Sequence, residues 1–167
     1  TGLLNKVYAE HTISEWLREK DFEDLQALMM IDMDYFKQIN DTYGHATGDQ
    51  VLKIFAGFLK EQFRATDIIG RVGGDEFMIL MKNVRLDYSI HLHLQKLYTN
   101  LQNIDIPELN DQKLSCSIGC AVAPTDAESF SQLYRLADHA LYTAKHNGRG
   151  RFVIYHDIKN QQETVLS

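Results

Sequence analysis

Two hydrophobic periodicities run along this chain, and together they predict its helices and strands. A helix shows apolar residues on one face at every third or fourth position, and a strand shows an apolar run or strict alternation. Helices are predicted over residues 7–20, 35–40, 51–63, 89–104 and 130–144. Strands are predicted over residues 25–31, 67–72, 77–81, 114–122 and 152–155. Residues 41–49 are expected to form a loop, with Thr47 and Gln50 as a capping box for the helix that follows.

The strand patterns differ in what they predict about burial. Residues 25–31 are almost continuously apolar, which predicts a central strand buried on both faces. Residues 114–122 alternate in the manner of a strand with one buried face. Cys116 and Cys120 lie on this strand, and four strand steps span about 13 Å, too far for a disulfide between them. We therefore interpret both cysteines as small core residues in a reducing compartment.

The order of the elements predicts the fold class. Strand–helix–strand–strand–helix–strand, followed by one more helix and strand, fits an α+β (α/β) ferredoxin-like βαββαβ core with a mostly antiparallel central sheet. In that topology the first strand lies beside the hairpin, so Asp32 is expected to meet Asp75 and Glu76. We assign residues 1–156 to one domain. Residues 157–167 show no clear pattern and are interpreted as a tail or the start of a linker.

Composition and charge narrow the classes of function. The 167 residues are 44% apolar and 24% charged, as in ordinary globular domains. A net charge of −6 argues against a protein that grips a nucleic-acid polymer, but not against small phosphorylated ligands held with a metal. No stretch reaches the roughly 20 apolar residues of a membrane span and no signal peptide is visible, so we expect a cytoplasmic domain without a membrane span in this segment. Because the chain begins at Thr1 instead of Met, we interpret it as an excised domain whose full-length protein could carry a membrane tether.

The turn at Gly73, Gly74, Asp75 and Glu76 is the first candidate for chemistry. Adjacent carboxylates repel each other, and a bound cation relieves that repulsion. Any one of these acids alone is better interpreted as a solvated turn residue. Together with Asp32, however, they form a set of hard oxygen ligands that suits Mg²⁺, and two such ions can clamp the oxygens of a phosphoryl transfer.

Gly73 and Gly74 have two interpretations that the residues leave open. They fit an ordinary hairpin turn, and they equally fit a backbone that a ligand approaches closely. Asn40 and Asp49 are similarly ambiguous, because an amide with a carboxylate can read the Watson–Crick edge of guanine. Their simpler interpretation is that Asn40 ends one helix and Asp49 belongs to the first turn of the next.

Basic residues supply candidate phosphate contacts with equally simple alternatives. Lys37 follows the acidic strand end, and Lys145 and Arg149 flank the end of a late helix, where basic residues usually complement the helix dipole. Arg64 and Asp67 are spaced as a surface ion pair would be, and such pairs contribute little to stability.

Taken together, these residues resemble a GGDEF domain, the catalytic domain of bacterial diguanylate cyclases, over residues 1–152. Four ordered motifs carry the resemblance: Thr1-Gly2-Leu3-x-Asn5, Asp32-x-Asp34-x-Phe36-Lys37-x-Ile39-Asn40-Asp41-x-x-Gly44-His45-x-x-Gly48-Asp49, Gly73-Gly74-Asp75-Glu76-Phe77 and Lys145-x-x-Gly148-Arg149. The resemblance implies a fold similar to nucleotide cyclases and polymerase palms. It implies that two GTP molecules, one on each subunit of a homodimer, condense to cyclic di-GMP and two pyrophosphates.

The resemblance also implies roles for individual residues, in three sets. The catalytic and metal-binding set, for two Mg²⁺ or Mn²⁺ ions, is Asp32, Met33 through its backbone carbonyl, Asp75 and Glu76. The substrate-binding set is Asn40 and Asp49 for guanine, and Phe36, Lys37, Gly73, Gly74, Lys145 and Arg149 for the rest of GTP. Arg64 and Asp67 correspond to a site at which the product, cyclic di-GMP, inhibits many members. The alternative is a non-catalytic GGDEF module that binds GTP or cyclic di-GMP as a receptor for an attached domain.

Overall fold

The computed structural model describes residues 1–21 and 23–166, and a six-stranded sheet with helices on both faces organises them. The strands are β1 Leu4–Asn5, β2 Leu25–Met33, β3 Ile68–Gly73, β4 Glu76–Val84, β5 Cys116–Ala123 and β6 Phe152–Ile154. The helices are α1 Lys6–Glu19, α2 Phe36–Tyr43, α3 His45–Gln62, α4 Asp87–Gln102, α5 Phe130–His146 and α6 Tyr155–Leu166, with a 3₁₀ turn at Pro107–Leu109. Each strand and helix predicted from the sequence pattern is present.

The strand order confirms the predicted topology. The sheet runs β1-β3-β4-β2-β5-β6, and its four central strands, β3, β4, β2 and β5, pair antiparallel. This is the arrangement of a ferredoxin-like βαββαβ unit. β1 adds parallel to β3 at one edge, and β6 adds parallel to β5 at the other. The prediction that the first long strand lies beside the hairpin is therefore correct.

β2 is buried on both faces, as its continuous apolar run predicts. Its side chains alternate between two clusters, because successive residues of a strand point to opposite faces. One cluster, beneath α3 and α4, includes Met29, Ile31, Phe55 and Leu94. The other, beneath α1 and α5, includes Leu28, Met30, Ile13 and Leu133.

β5 corrects one prediction. Its alternation predicted one buried face, but all eight residues from Cys116 to Ala123 are buried. The alternation reflects side-chain size, because α5 packs closely against the face that carries the small residues. A Cβ atom at Gly119 would lie 2.1 Å from the Ala137 carbonyl oxygen and from the Leu141 amide nitrogen. Cys116 and Cys120 are buried and free, as predicted.

The predicted loop over residues 41–49 is wrong, and so is the capping box. α2 continues to Tyr43, α3 begins at His45, and only Gly44 separates them. Gly44 adopts a φ of 87°, a conformation that glycine tolerates without a Cβ penalty, and its amide donates to the Asn40 carbonyl at 2.9 Å. The chain therefore changes direction within one residue, and Thr47 lies inside the helix, where it caps nothing.

Helix α6 was not predicted, because residues 157–167 carry no clear hydrophobic period. His156 anchors the start of this helix through contacts of 3.2 Å with both Asp126 and Asp87. Its hydrogen bond with Asp126 outweighs partial burial and raises the pKa of His156 to about 9, so the imidazole is charged at neutral pH. Ser167 lies outside the described residues. Of the helices described, none has the length and apolar character needed to cross a bilayer.

Candidate active site

Three acidic residues meet at one end of the central sheet. In the strand register Asp32 on β2 lies opposite Glu76 on β4 and opposite Ser117 on β5. The Met33 amide donates to the Asp75 carbonyl at 3.2 Å, which ties the end of β2 to the hairpin tip. The predicted meeting of Asp32 with Asp75 and Glu76 is therefore observed.

The electrostatics of this end favour a cation. Partial burial raises the pKa of Asp75, and the neighbouring carboxylates of Asp32 and Glu76 raise it further. The ammonium group of Lys145, at the end of α5, donates to Asp32 Oδ2. Lys145 thus does more than complement the dipole of its helix, because it carries positive charge directly into the acidic cluster.

These acidic residues fit a metal ion that takes only some of its ligands from the protein. Within residues 1–21 and 23–166, no three or more His, Cys, Asp or Glu side chains form a group that could enclose a metal ion. Mg²⁺ does not need such an enclosure, because it keeps several waters and usually takes one or two carboxylates together with substrate phosphates. Asp32 and Asp75, with the Met33 backbone beside them, match that pattern.

The hairpin tip is shaped by Arg71, a residue that the sequence did not single out. Its Nε and Nη2 donate to the Gly74 carbonyl oxygen at 2.9 and 2.7 Å. Gly74 has a positive φ of 52°, so the turn itself favours glycine there. Gly73 has no such φ, and the space where its Cβ would point is open for 4 Å, so neither backbone nor packing requires glycine. An open approach for a ligand is therefore the better interpretation of Gly73.

Asn40 and Asp49 come together because α2 and α3 pack against each other. A Cβ atom at Gly48 would lie 1.8 Å from Asn40 Oδ1 and 3.4 Å from the tip of the Phe36 ring. Asn40 is thus inside its helix instead of ending it, and its amide lies against the backbone that precedes Asp49. Asp49 is exposed, so its carboxylate is accessible to a ligand.

The substitution Gly48→Ala tests this arrangement. The new methyl group has room only if the Asn40 side chain turns away, and because that side chain is flexible the fold should be retained. If Asn40 reads guanine, as the resemblance implies, the affinity for GTP should fall about tenfold and the preference for GTP over ATP should narrow, because one hydrogen bond to the base is lost. Calorimetric titration with both nucleotides measures this, and an unchanged GTP-to-ATP affinity ratio would contradict it.

The remaining predicted phosphate contacts frame the same end of the sheet. Lys37 lies exposed in the first turn of α2. Arg149 follows α5 with a positive φ of 62°, and its guanidinium carbon lies 5.4 Å from the centre of the Tyr35 ring.

A family model described as "Diguanylate cyclase, GGDEF domain" matches residues 1–151. The chain belongs to the GGDEF family.

Curated relatives of this GGDEF domain carry more than one name. It is 38% identical over 136 residues to the probable diguanylate cyclase DgcT of Escherichia coli. The matched segment covers 80% of this chain and 30% of DgcT. It is 31% identical over 162 residues to the cyclic di-GMP phosphodiesterase PdeR of the same organism. The matched segment covers 97% of this chain and 24% of PdeR. The chain thus spans less than a third of the length of either protein.

Solved structures agree on the fold. The GGDEF domain of TpbB (YfiN) from Pseudomonas aeruginosa superposes with a TM-score of 0.87 at 32% identity, over 97% of this chain and 96% of that one. The GGDEF domain of DgcB from Caulobacter crescentus, solved in complex with c-di-GMP, superposes with a TM-score of 0.83 at 25% identity, over 93% of each chain. The mixed α and β architecture is therefore that of GGDEF domains.

Arg64 and Asp67 of the GGDEF domain lie away from the acidic strand end, in a groove of about 440 Å³. Gly2, Leu3 and Lys60 also line this groove. Both carboxylate oxygens of Asp67 accept backbone amides, from Arg64 at 2.9 Å and from Lys82 at 2.9 Å. The bond between them uses the Arg64 backbone and not its guanidinium, so the expected surface ion pair of side chains is not observed; Asp67 fixes the turn between α3 and β3, and Arg64 is exposed beside it.

Asp34 and Tyr35 were missed as site residues although both lie within the second motif. Asp34 is a buried acid that accepts hydrogen bonds from the Ser115 and Ser117 hydroxyls at 2.5 and 2.7 Å. Its spacing of two residues from Asp32 is the one signal that could have found it, since Asp32 lies at the end of β2 and Asp34 follows directly after that strand. Tyr35 gave no signal, because its positive φ of 59° is visible only in the folded backbone.

Proposed function

We propose that this GGDEF domain is a diguanylate cyclase that condenses two GTP molecules into cyclic di-GMP. In each of two equivalent steps the 3′-hydroxyl oxygen of one GTP bonds to the α-phosphorus of the other, pyrophosphate leaves and the hydroxyl proton is released. The observation that carries the proposal is the sheet end where Asp32, Asp75 and Glu76 meet and Lys145 adds positive charge. Phosphoryl-transfer catalysis consists mainly of positioning and charge neutralisation, and this end of the sheet provides groups for both.

The proposed roles follow from the chemistry of each side chain. Asp32 and Asp75, with the Met33 carbonyl and Glu76, would hold two Mg²⁺ or Mn²⁺ ions. When bound, these ions would supply positive charge to the phosphate oxygens and to the attacking and leaving oxygens. Lys37, Lys145 and Arg149 bind the β- and γ-phosphates, and the open backbone at Gly73 and Gly74 leaves room for the nucleotide.

The guanine base is read between α2 and α3. The Asp49 carboxylate accepts from the ring N–H and the exocyclic amino group of guanine, and Asn40 pairs with the remaining edge. The tip of the Phe36 ring lies on the same side of Gly48 as the Asn40 side chain, where it can border the base. This arrangement selects guanine over adenine, which has no ring N–H at that position.

The domain works as half of a site. Each subunit holds one GTP, and two subunits face each other so that each 3′-hydroxyl reaches the partner's α-phosphate. GTP is a cytoplasmic substrate, so the reaction takes place in the cytoplasm. The GGDEF domain of DgcB, which shares this fold at 25% identity, was solved in complex with c-di-GMP. That complex supports a product of this kind.

The second candidate is a non-catalytic module that binds GTP or cyclic di-GMP for an attached domain. The phosphodiesterase name of the relative PdeR, at 31% identity, favours it. The intact set of Asp32, Asp75 and Glu76 favours the enzyme, because a receptor needs no complete set of metal ligands.

The deciding experiment incubates the protein with GTP and Mg²⁺ and separates the nucleotides by chromatography. We expect cyclic di-GMP and pyrophosphate, in a ratio of one to two. A version fused to a dimerisation tag controls for weak self-association of the isolated domain. If the tagged protein binds GTP and still forms no cyclic di-GMP, the cyclase proposal fails and the receptor replaces it.

Product inhibition should depend on Arg64. Its guanidinium can pair with a phosphate of cyclic di-GMP by two parallel hydrogen bonds, which alanine cannot make. We expect Arg64→Ala to raise the cyclic di-GMP concentration needed for half inhibition at least tenfold and to leave the initial rate largely intact. Arg18→Ala, an exposed arginine at the end of α1, is the matched control. Equal inhibition of both variants would refute this site.

A further inference from the structure

The loop that follows α5 holds Arg149 in an unusual backbone. Gly148, Arg149 and Gly150 have consecutive positive φ values of 108°, 62° and 55°. Glycine adopts this region freely, but a residue with a side chain adopts it only when its surroundings compensate for the strain. The structure must therefore contain contacts that keep Arg149 in place.

Backbone contacts fix the loop on both sides of Arg149. The Arg149 amide donates to the Ala144 carbonyl at 3.1 Å, which closes the end of α5. The next amide, of Gly150, donates to Asp34 Oδ2 at 2.9 Å. Asp34 is only 6% exposed, and the two serine hydroxyls of the β5 segment hold its carboxylate. The loop is thus attached to the end of β2, the strand that carries Asp32.

Tyr35, the residue after Asp34, supports the side chain of Arg149. The Tyr35 ring lies 5.4 Å from the guanidinium carbon, within the range of a cation–π contact. Tyr35 is 51% exposed and itself has a positive φ of 59°, so neither burial nor ordinary backbone preference explains its place. One dipeptide therefore holds the loop at this point: Asp34 binds the amide that follows Arg149, and Tyr35 contacts the Arg149 side chain.

We propose that Tyr35 is a positioning residue that holds the Arg149 guanidinium ready for the β- and γ-phosphates of GTP. The proposal rests on the proposed function for the role of Arg149. A long arginine side chain loses rotamer freedom when it binds a phosphate, and a ring that already supports it reduces that loss. The effect should be specific for ligands that carry the distal phosphates, because the ring acts only through Arg149.

The test is a double-mutant cycle on nucleotide binding. The ligands are guanosine 5′-(α,β-methylene)triphosphate, whose carbon bridge prevents release of pyrophosphate, and GMP, which lacks the distal phosphates. Both are titrated in Mg²⁺ against the wild type, Tyr35→Leu, Tyr35→Phe, Arg149→Ala and the Leu–Ala double variant. Circular dichroism checks that each variant is folded.

We expect Tyr35→Leu to weaken the triphosphate analogue about three- to fivefold, the range of an exposed cation–π contact, and to leave GMP binding unchanged. Tyr35→Phe should bind like the wild type, because the ring remains. In the Arg149→Ala background Tyr35→Leu should have no further effect. An equal loss for GMP, an equal loss in the Arg149→Ala background, or no loss at all would overturn the proposal.

The outcome is separable from that of the cyclase proposal. If the cycle shows coupling and the protein makes no cyclic di-GMP, the cyclase proposal fails and the role of Tyr35 stands. If cyclic di-GMP forms and the two substitutions act additively, the role of Tyr35 is overturned and the cyclase stands. A wild type that binds neither nucleotide overturns both.

Discussion

Asp75→Asn should reduce the rate of cyclic di-GMP synthesis at least about 10³-fold, because it removes a carboxylate from the proposed metal site, where phosphate charge must be neutralised. The stability of the fold should respond in the opposite direction. Burial and the carboxylates of Asp32 and Glu76 raise the pKa of Asp75, so its ionised form is unfavourable in the folded protein. An uncharged amide of the same size removes that repulsion, and thermal unfolding should occur at an equal or slightly higher temperature.

The combination of lost activity with retained stability is what separates a metal ligand from a structural acid. Asp105→Asn, at an exposed position after α4, is the control and should leave both quantities unchanged. Activity is followed by chromatography of the nucleotides and stability by circular dichroism. If the Asp75 variant keeps its activity, the metals are held elsewhere; if it unfolds, the acid has a structural role.

Gly119→Ala should have the largest effect on stability. Its Cβ would lie 2.1 Å from the Ala137 carbonyl oxygen and the Leu141 amide nitrogen, and neither backbone atom can move unless α5 shifts as a whole. Overpacking of this kind typically costs about 1–3 kcal/mol, and a clash with helix backbone belongs at the upper end, so we expect a loss of about 3 kcal/mol in the free energy of unfolding. Urea denaturation followed by circular dichroism measures it.

Gly57→Ala is the matched control for this substitution. Gly57 lies exposed within α3, and nothing lies within 4 Å of the Cβ position. Alanine should stabilise α3 there by up to about 1 kcal/mol, the difference in helix propensity. Because α5 carries Lys145, the Gly119 variant should also lose activity, whereas the Gly57 variant should keep it. Two glycine variants with equal stability would contradict the close packing of α5 on β5.

The site could be predicted from sequence only where neighbouring strands meet in a common topology. Asp32 meets Asp75 and Glu76 because β2 pairs with β4, and the order of elements was enough to infer that pairing. The support of the site was not predictable. Arg71 bonds to Gly74 only in the folded turn, and Asp34 reaches Gly150 across 116 positions of sequence.

Local patterns failed where packing overrides them. Residues 41–49 contain two glycines and resemble a loop, yet Gly44 alone makes the turn and α3 begins at His45. The size alternation of β5 resembles a half-exposed strand, yet α5 covers the small side. A pattern of polarity or size shows which environments a residue tolerates. The packing of the neighbouring helix or strand determines whether that residue is in fact exposed or buried.

The sequence by itself determined most of the core helices and strands, the ferredoxin-like topology and the resemblance to GGDEF domains, because hydrophobic period and motif order are properties of the chain. It also determined that Asp32 and the turn at Gly73–Glu76 belong together. Only the tertiary structure decided that Lys145 contacts Asp32, that Gly48 makes room for Asn40, and that Tyr35 lies beside Arg149. These contacts join residues from different elements over distances of a few ångströms. Helix packing and backbone φ values set such distances, and a sequence pattern contains no information on either.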